Sequence, residues 1–214
     1  MKKPLIILFG IIVSHIAAAQ YDPKALEVLE AMSKKYKAFT SFEANLTSTL
    51  INESAGVKDA FNAKITVKGN KYRLELQEQH IYNNGTTVWT YLPNENEVNI
   101  DNFDPKSEDL APSKFFEMYK KGFKYLLIGE RTEGGVACDE VDLVPEKKDA
   151  QFFKIKMVIS KKDRSVLNWT MFDRGGNKYK YAIAKFTPNV KIDDTYFDFD
   201  VKAHPKIQVS ELRD

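Results

Sequence analysis

Cysteine is almost missing: Cys138 stands alone in the 214 residues, which excludes an internal disulfide and leaves stability to the packed core. Cys138 itself reads as a semi-buried strand residue. Histidine is scarce too, with three in the chain. His80 and His204, the two beyond the N-terminal segment, lie too far apart to form a motif, and a lone histidine is weak ground for a general base. No Cys/His spacing suggests zinc, and no glycine-rich loop precedes a helix as a phosphate cradle would. Asp193, Asp194, Asp198 and Asp200 gather near the end. They lack the ligand spacing and central glycine of a calcium loop, and read instead as a solvated strand face. An excess of one charge is also lacking: 32 basic residues stand against 30 acidic ones, and leaving out Lys2 and Lys3 brings them into balance. Nucleic-acid binders need a basic face, so no nucleic-acid partner is expected. With no catalytic constellation in view, the chain reads as a non-enzyme without a cofactor.

What is present begins with a leader. Lys2 and Lys3, the apolar run Leu5 to Val13 and the small residues Ala17-Ala18-Ala19 have the layout of a cleavable signal peptide over residues 1–19, with Gln20 as the first mature residue. The apolar run is shorter than the roughly 20 residues a bilayer span requires. No cysteine sits at the cleavage point to receive a lipid, so the mature protein is expected to be soluble beyond the inner membrane. Residues 20–214 fit one domain by length, expected to act as a monomer. At 43% hydrophobic and 12% aromatic, the chain holds ample material for a core.

The first mature element is predicted to be a helix. Asp22 suits the N-cap, Pro23 the first turn, and Leu26, Leu29, Met32 and Tyr36 recur at helical spacing. From Thr40 the period changes to two. Phe42, Ala44 and Leu46 alternate with polar residues, as do Phe61, Ala63, Ile65 and Val67, then Tyr72, Leu74 and Leu76. Asn83-Asn84-Gly85 is a strong hairpin signal, because Asn and Gly accept the positive φ of tight turns. The strand Thr86 to Leu92 follows it. A second short helix, Ser113 to Lys121, carries Phe115, Phe116, Met118 and Tyr119 and is closed by Gly122. Strands then resume to the end. The expectation is a mainly β (α+β) fold of about ten or eleven strands, whose helices cover the open, apolar side of a strongly bent sheet.

Several pieces resemble one family in order along the chain. Asn84 to Pro93, reading Asn-Gly-Thr-Thr-Val-Trp-Thr-Tyr-Leu-Pro, is similar to a hallmark hairpin of the outer-membrane lipoprotein carrier (LolA) family. Ile65 to Leu76, Val141 to Pro145, Asp173 with Gly175-Gly176-Asn177, Phe197-x-Phe199 and His204-Pro205 with Val209 resemble further family segments. The resemblance implies an incomplete, strongly curved antiparallel β-barrel with helices over its open side. It also implies a periplasmic carrier of lipoprotein acyl chains. The implied partners are acylated lipoproteins, an inner-membrane lipoprotein-releasing ABC transporter and an outer-membrane acceptor. Known members carry an Arg-Pro pair in the turn after the second strand, where the arginine holds the lid shut. Here that turn is Lys68-Gly69-Asn70, which leaves Lys68 or Arg73 to take its place. The competing reading is a periplasmic binding or envelope-stress sensory module on a related fold.

On this expectation Phe61, Ile65, Tyr72, Leu74, Trp89 and Tyr91 form the wall of a lipid-binding cavity. Leu26, Leu29 and Met32 of the first helix and Phe115, Phe116, Met118 and Tyr119 of the central one form its lid. Alternation by itself does not separate cavity lining from core filler.

Overall fold

The computed structural model describes residues 21–105 and 112–213, so the expected leader lies outside the described residues. Helix α1 spans Pro23–Lys37. Asp22 caps it, one carboxylate oxygen accepting from Lys24 N at 2.9 Å and the other from Leu127 N at 3.0 Å. A single aspartate thus satisfies a helix end and ties it to a strand edge. Among the described residues no helix is long and apolar enough to cross a membrane.

Twelve strands follow: β1 Ser41–Asn52, β2 Val57–Lys68, β3 Lys71–Glu75, β4 His80–Asn83, β5 Thr87–Leu92, β6 Glu97–Asn102, β7 Phe123–Glu133, β8 Val136–Pro145, β9 Phe152–Ser160, β10 Val166–Asp173, β11 Lys178–Pro188 and β12 Gln208–Glu211. They form one sheet in the order β12-β6-β5-β4-β3-β2-β1-β11-β10-β9-β8-β7. The sheet is an incomplete, strongly curved barrel left open between β12 and β7, with helical cover over its inner face. Three details differ from expectation. The described residues form twelve strands rather than ten or eleven, because His80–Asn83 pairs as a strand of its own before the Asn-Gly turn. The sheet is not wholly antiparallel, since β12 lies parallel to β6. Asp193, Asp194, Asp198 and Asp200 are not a strand face: Asp193 and Asp200 cap two short 3₁₀ turns.

The strand order defines two arms. β1 to β6 wind outward as hairpins, and β7 to β11 wind back from the far edge until β11 pairs with β1. The chain therefore crosses the sheet between β6 and β7, and that crossing carries the second helical element, Pro112–Lys120. The short helix expected over Ser113 to Lys121 is a 3₁₀ helix. With three residues per turn, Phe115 stacks in line with Met118, and Phe116 with Tyr119. Two apolar rows face inward from nine residues.

The arms bury opposite faces. In the β7–β11 arm the inner face is sealed: Val141, Leu143, Ile155, Met157, Ile159 and Met171 pack beneath α1 and the 3₁₀ lid. Each such side chain contributes about 1.5–3 kcal/mol on burial. In the β3–β6 arm it is the outer face that is sealed. Tyr82, Val98 and Ile100 pack with Phe199 from the C-terminal segment 189–213, a strap that recrosses the sheet from outside. Arg73 sits between the rings of Tyr82 and Tyr196, at 4.6 and 4.8 Å from their centroids. Asp194 receives Lys68 at 2.8 Å and Lys71 at 2.7 Å.

Candidate functional site

The lid is anchored by aromatic contact. Phe116 stacks flat on Tyr36, with centroids 3.6 Å apart and planes 4° off parallel, and meets Phe42 edge-on. Phe115 lies 4.6 Å from Trp169, which in turn stacks on Tyr181. These rings come from α1, the lid, β1, β10 and β11 and meet over the seam between the arms. Tyr36 is fixed from behind, where its hydroxyl accepts from Val166 N at 3.0 Å. Burial pushes its ionisation up to about 12, so it stays neutral. Two ion pairs close the rim, Lys37 with Glu117 at 2.7 Å and Lys35 with Asp163 at 2.6 Å.

Strand register decides the placement of the expected wall residues. Phe61 and Ile65 lie on the inner face of β2, opposite Ser48 and Ala44. Tyr72 and Leu74 continue that face on β3, opposite Val67 and Ile65. Trp89 and Tyr91 do not join them. Trp89 pairs with Tyr82 and Tyr91 with His80, while Tyr82 pairs with Arg73 and His80 with Glu75. All of these lie on the outer face, where Tyr91 meets Phe199 and His204 at 5.2 and 4.7 Å. The six residues thus divide four to two between opposite surfaces of the sheet. On the inner face of β4 and β5 stand Ile81, Val88 and Leu92 instead, residues that the expectation missed. Tyr72, Leu74, Ile81, Val88 and Leu92 are all half-buried and stand outside the three packed clusters of the described residues.

The expected lid residues come together. Leu29 and Met32 are buried with Met118 and Tyr119, and Leu26, Phe115 and Phe116 pack against them. Lys68 and Arg73 serve elsewhere than supposed, because both hold the outer strap and neither holds the lid. His80 is half-buried, and desolvation lowers its tendency to protonate. An open groove of about 520 Å³ at the sheet's bend is lined by the apolar Leu46, Ala63 and Leu76 together with the outward-facing Asn45, Lys64 and Glu75. It lies where β1 and β11 slip register between Asn45 and Leu46.

One arm of the open, curved sheet is covered on its inner face by α1 and the 3₁₀ helix, and the other keeps a half-buried apolar strip there. The chain belongs to the outer membrane lipoprotein carrier protein LolA family, whose model matches residues 37–200. The Trp89 hairpin lies within that match. Among solved structures, an uncharacterised conserved protein of Thermus thermophilus aligns with a TM-score of 0.58 at 14% identity, over 88% of this chain and 99% of that one. The lipoprotein LppX of Mycobacterium tuberculosis aligns with a TM-score of 0.51 at 13% identity, over 80% of this chain and 100% of that one. An uncharacterised protein of Methanocaldococcus jannaschii is 25% identical over 92% of this chain, which spans 58% of that relative's length.

Proposed function

We propose that the protein is a periplasmic carrier that shelters lipoprotein acyl chains between the inner membrane and the outer membrane. The observation that carries this reading is the half-buried apolar strip Leu74, Ile81, Val88 and Leu92, which stands outside the packed clusters of the described residues, next to a helical cover that fills the rest of the concavity with its own rings. An acyl chain of about sixteen carbons left in water costs on the order of 12 kcal/mol, so transfer needs an apolar host. Release to an acceptor needs that host to bind reversibly. A nine-residue 3₁₀ run suits that need. Its hydrogen bonds are poorer than those of an α-helix and such runs seldom exceed a few residues, so the cover lifts at low cost. In the resting form Phe115 and Phe116 occupy the space that a guest takes when it displaces them.

On this proposal the passenger moves outward from one membrane to the other. The donor is an inner-membrane lipoprotein-releasing transporter and the recipient an outer-membrane acceptor, with the carrier acting as a monomer and without catalysis. The test is to purify the mature protein from its own periplasm, denature it, and identify what is released by mass spectrometry. Co-purified acylated lipoprotein supports the reading. Empty protein from cells that overproduce a lipoprotein, together with no binding of a synthetic acylated peptide, refutes it.

A further inference from the structure

The hairpin between β4 and β5 carries a chemically reactive pair. Asn84-Gly85 is the one Asn-Gly step in the chain. Glycine has no side chain to shield its own amide nitrogen and allows the widest range of backbone angles. In a flexible chain that nitrogen therefore reaches the side-chain carbonyl of the preceding asparagine with ease. Here both reacting groups are otherwise engaged. Asn84 Oδ1 accepts from Thr86 N at 3.0 Å, Thr86 Oγ1 at 2.9 Å and Thr87 N at 3.0 Å. The Gly85 N–H donates to Asn83 Oδ1 at 2.7 Å. Asn83 is itself buried, and its own amide donates to Asn70 O at 3.2 Å. The last tie comes from the strap, where Asp198 Oδ1 accepts from Asn84 Nδ2 at 2.8 Å. Asp198 stands between the buried rings of Phe197 and Phe199, so this bond is made only while the strap is docked.

We infer that Asn84 is a site of spontaneous deamidation gated by the strap, and that its conversion loosens the strap in turn. The Gly85 nitrogen bonds to Asn84 Cγ, and its proton passes through water to Nδ2. The Cγ–Nδ2 bond breaks and ammonia leaves. Water then adds to either carbonyl of the cyclic imide and breaks that carbon's bond to nitrogen, leaving aspartate or isoaspartate. One water is consumed, one ammonia is released, and nothing is oxidised or reduced. Either product replaces the donor that faces Asp198 with a carboxylate, so attraction becomes like-charge repulsion. Solvent keeps that repulsion modest, because Asp198 is exposed and the pair is screened. Isoaspartate also adds a main-chain atom inside the turn that closes Asn83 against Val88, which disturbs the hairpin register. Opening feeds conversion and conversion feeds opening, so the site keeps a record of how often the strap has lifted.

The purified protein is held in mildly alkaline buffer, either folded or in guanidinium, and the product at Asn84 is followed by peptide mass spectrometry. Only the opened fraction reacts, so conversion should be at least about tenfold slower in the folded protein. Asp198→Ala removes the tie, and Phe199→Ala unseats the strap through its core. Each should speed the folded reaction about threefold to tenfold, with circular dichroism confirming an intact sheet. Asp198→Asn keeps an acceptor and should stay near the wild-type rate. Asn84→Asp should quicken hydrogen exchange across 197–200 about twofold to fivefold, and less so in high salt. Adding Asp198→Asn to it should restore the wild-type exchange. Equal conversion of folded and unfolded protein overturns the inference, and so does a folded rate that neither Asp198→Ala nor Phe199→Ala moves. Unchanged exchange in Asn84→Asp overturns the return effect on the strap.

Discussion

The β7–β11 arm and the β3–β6 arm are built from the same alternating strands, yet they hide opposite faces. In the first arm the inner face is closed, with Leu143, Met157 and Ile159 no more than 1% exposed beneath α1 and the lid. In the second the strap covers the outer face, with Val98 at 0%, and the inner face stays half-open. The difference shows how a sheet can keep an apolar surface available without unfolding. Core formation in the second arm has moved to the outside, so its inner face is relieved of holding the fold together.

The sharpest way to break that contrast is to place the same charge on the inner face of each arm. Met157→Asp should cost more than about 4 kcal/mol and abolish folding, because an isolated carboxylate is buried. Leu74→Asp should cost only about 1 kcal/mol in urea denaturation and yet remove acyl-peptide binding. Equal stability losses at the two sites would sink the comparison. Next in size is the outer core. Phe199→Ala removes a ring 7% exposed and should cost about 3 kcal/mol. Its signature is proteolytic cleavage within 189–213 while lid contacts persist. Phe116→Ala should act in the opposite sense on binding. Loss of the ring that stacks on Tyr36 weakens the resting cover, so acyl probes should bind about tenfold more tightly by displacement titration.

Acid should loosen the strap over the second arm. The bonds from Lys68 and Lys71 hold the Asp194 carboxyl down at about 2, below its ordinary value of 3.8. A depressed carboxyl stabilises the folded form above its ordinary value, and that contribution is lost as pH falls toward the folded one. Hydrogen exchange in the strap should therefore quicken between about pH 4 and 2, and quicken further in high salt. The smallest effect is expected at the lid rim. Glu117→Gln removes an exposed pair with Lys37 and should change stability by under about 1 kcal/mol.

Much of this was legible in the residues. Asp22-Pro23 fixed where α1 begins, and Asn84-Gly85 marked its hairpin, where Gly85 sits at φ +95° and Asn84 Oδ1 accepts from Thr86 and Thr87 N at 3.0 Å each. Alternation sorted residues into faces within a strand. It did not say which face was the inner one from one strand to the next, and for that reason Trp89 and Tyr91 were grouped with Tyr72 and Leu74. A clue was nevertheless present. In β5 both Val88 with Leu92 and Trp89 with Tyr91 are apolar, so both faces of that strand are covered or used. The strap itself left little pattern, because Phe197 ends a short 3₁₀ turn and Phe199 lies in the irregular stretch before the next one. The lid's 3₁₀ form was equally hidden, since Phe115, Phe116, Met118 and Tyr119 satisfy helical spacing at three residues per turn nearly as well as at 3.6.

The seam between β1 and β11 joins segments that are remote along the chain, whereas almost every other neighbour in the sheet is a local hairpin. Loop closure makes such a pairing the slow event in assembly. Each arm can organise on its own schedule, and only the zipping of Phe42 against Pro188 through Ile51 against Lys178 draws them into one curved surface. Defects along that line, at Ala44 or Ile183, should therefore slow folding more than equal defects inside either meander. A folding chain would wait there longest, with the apolar inner faces of both arms still exposed.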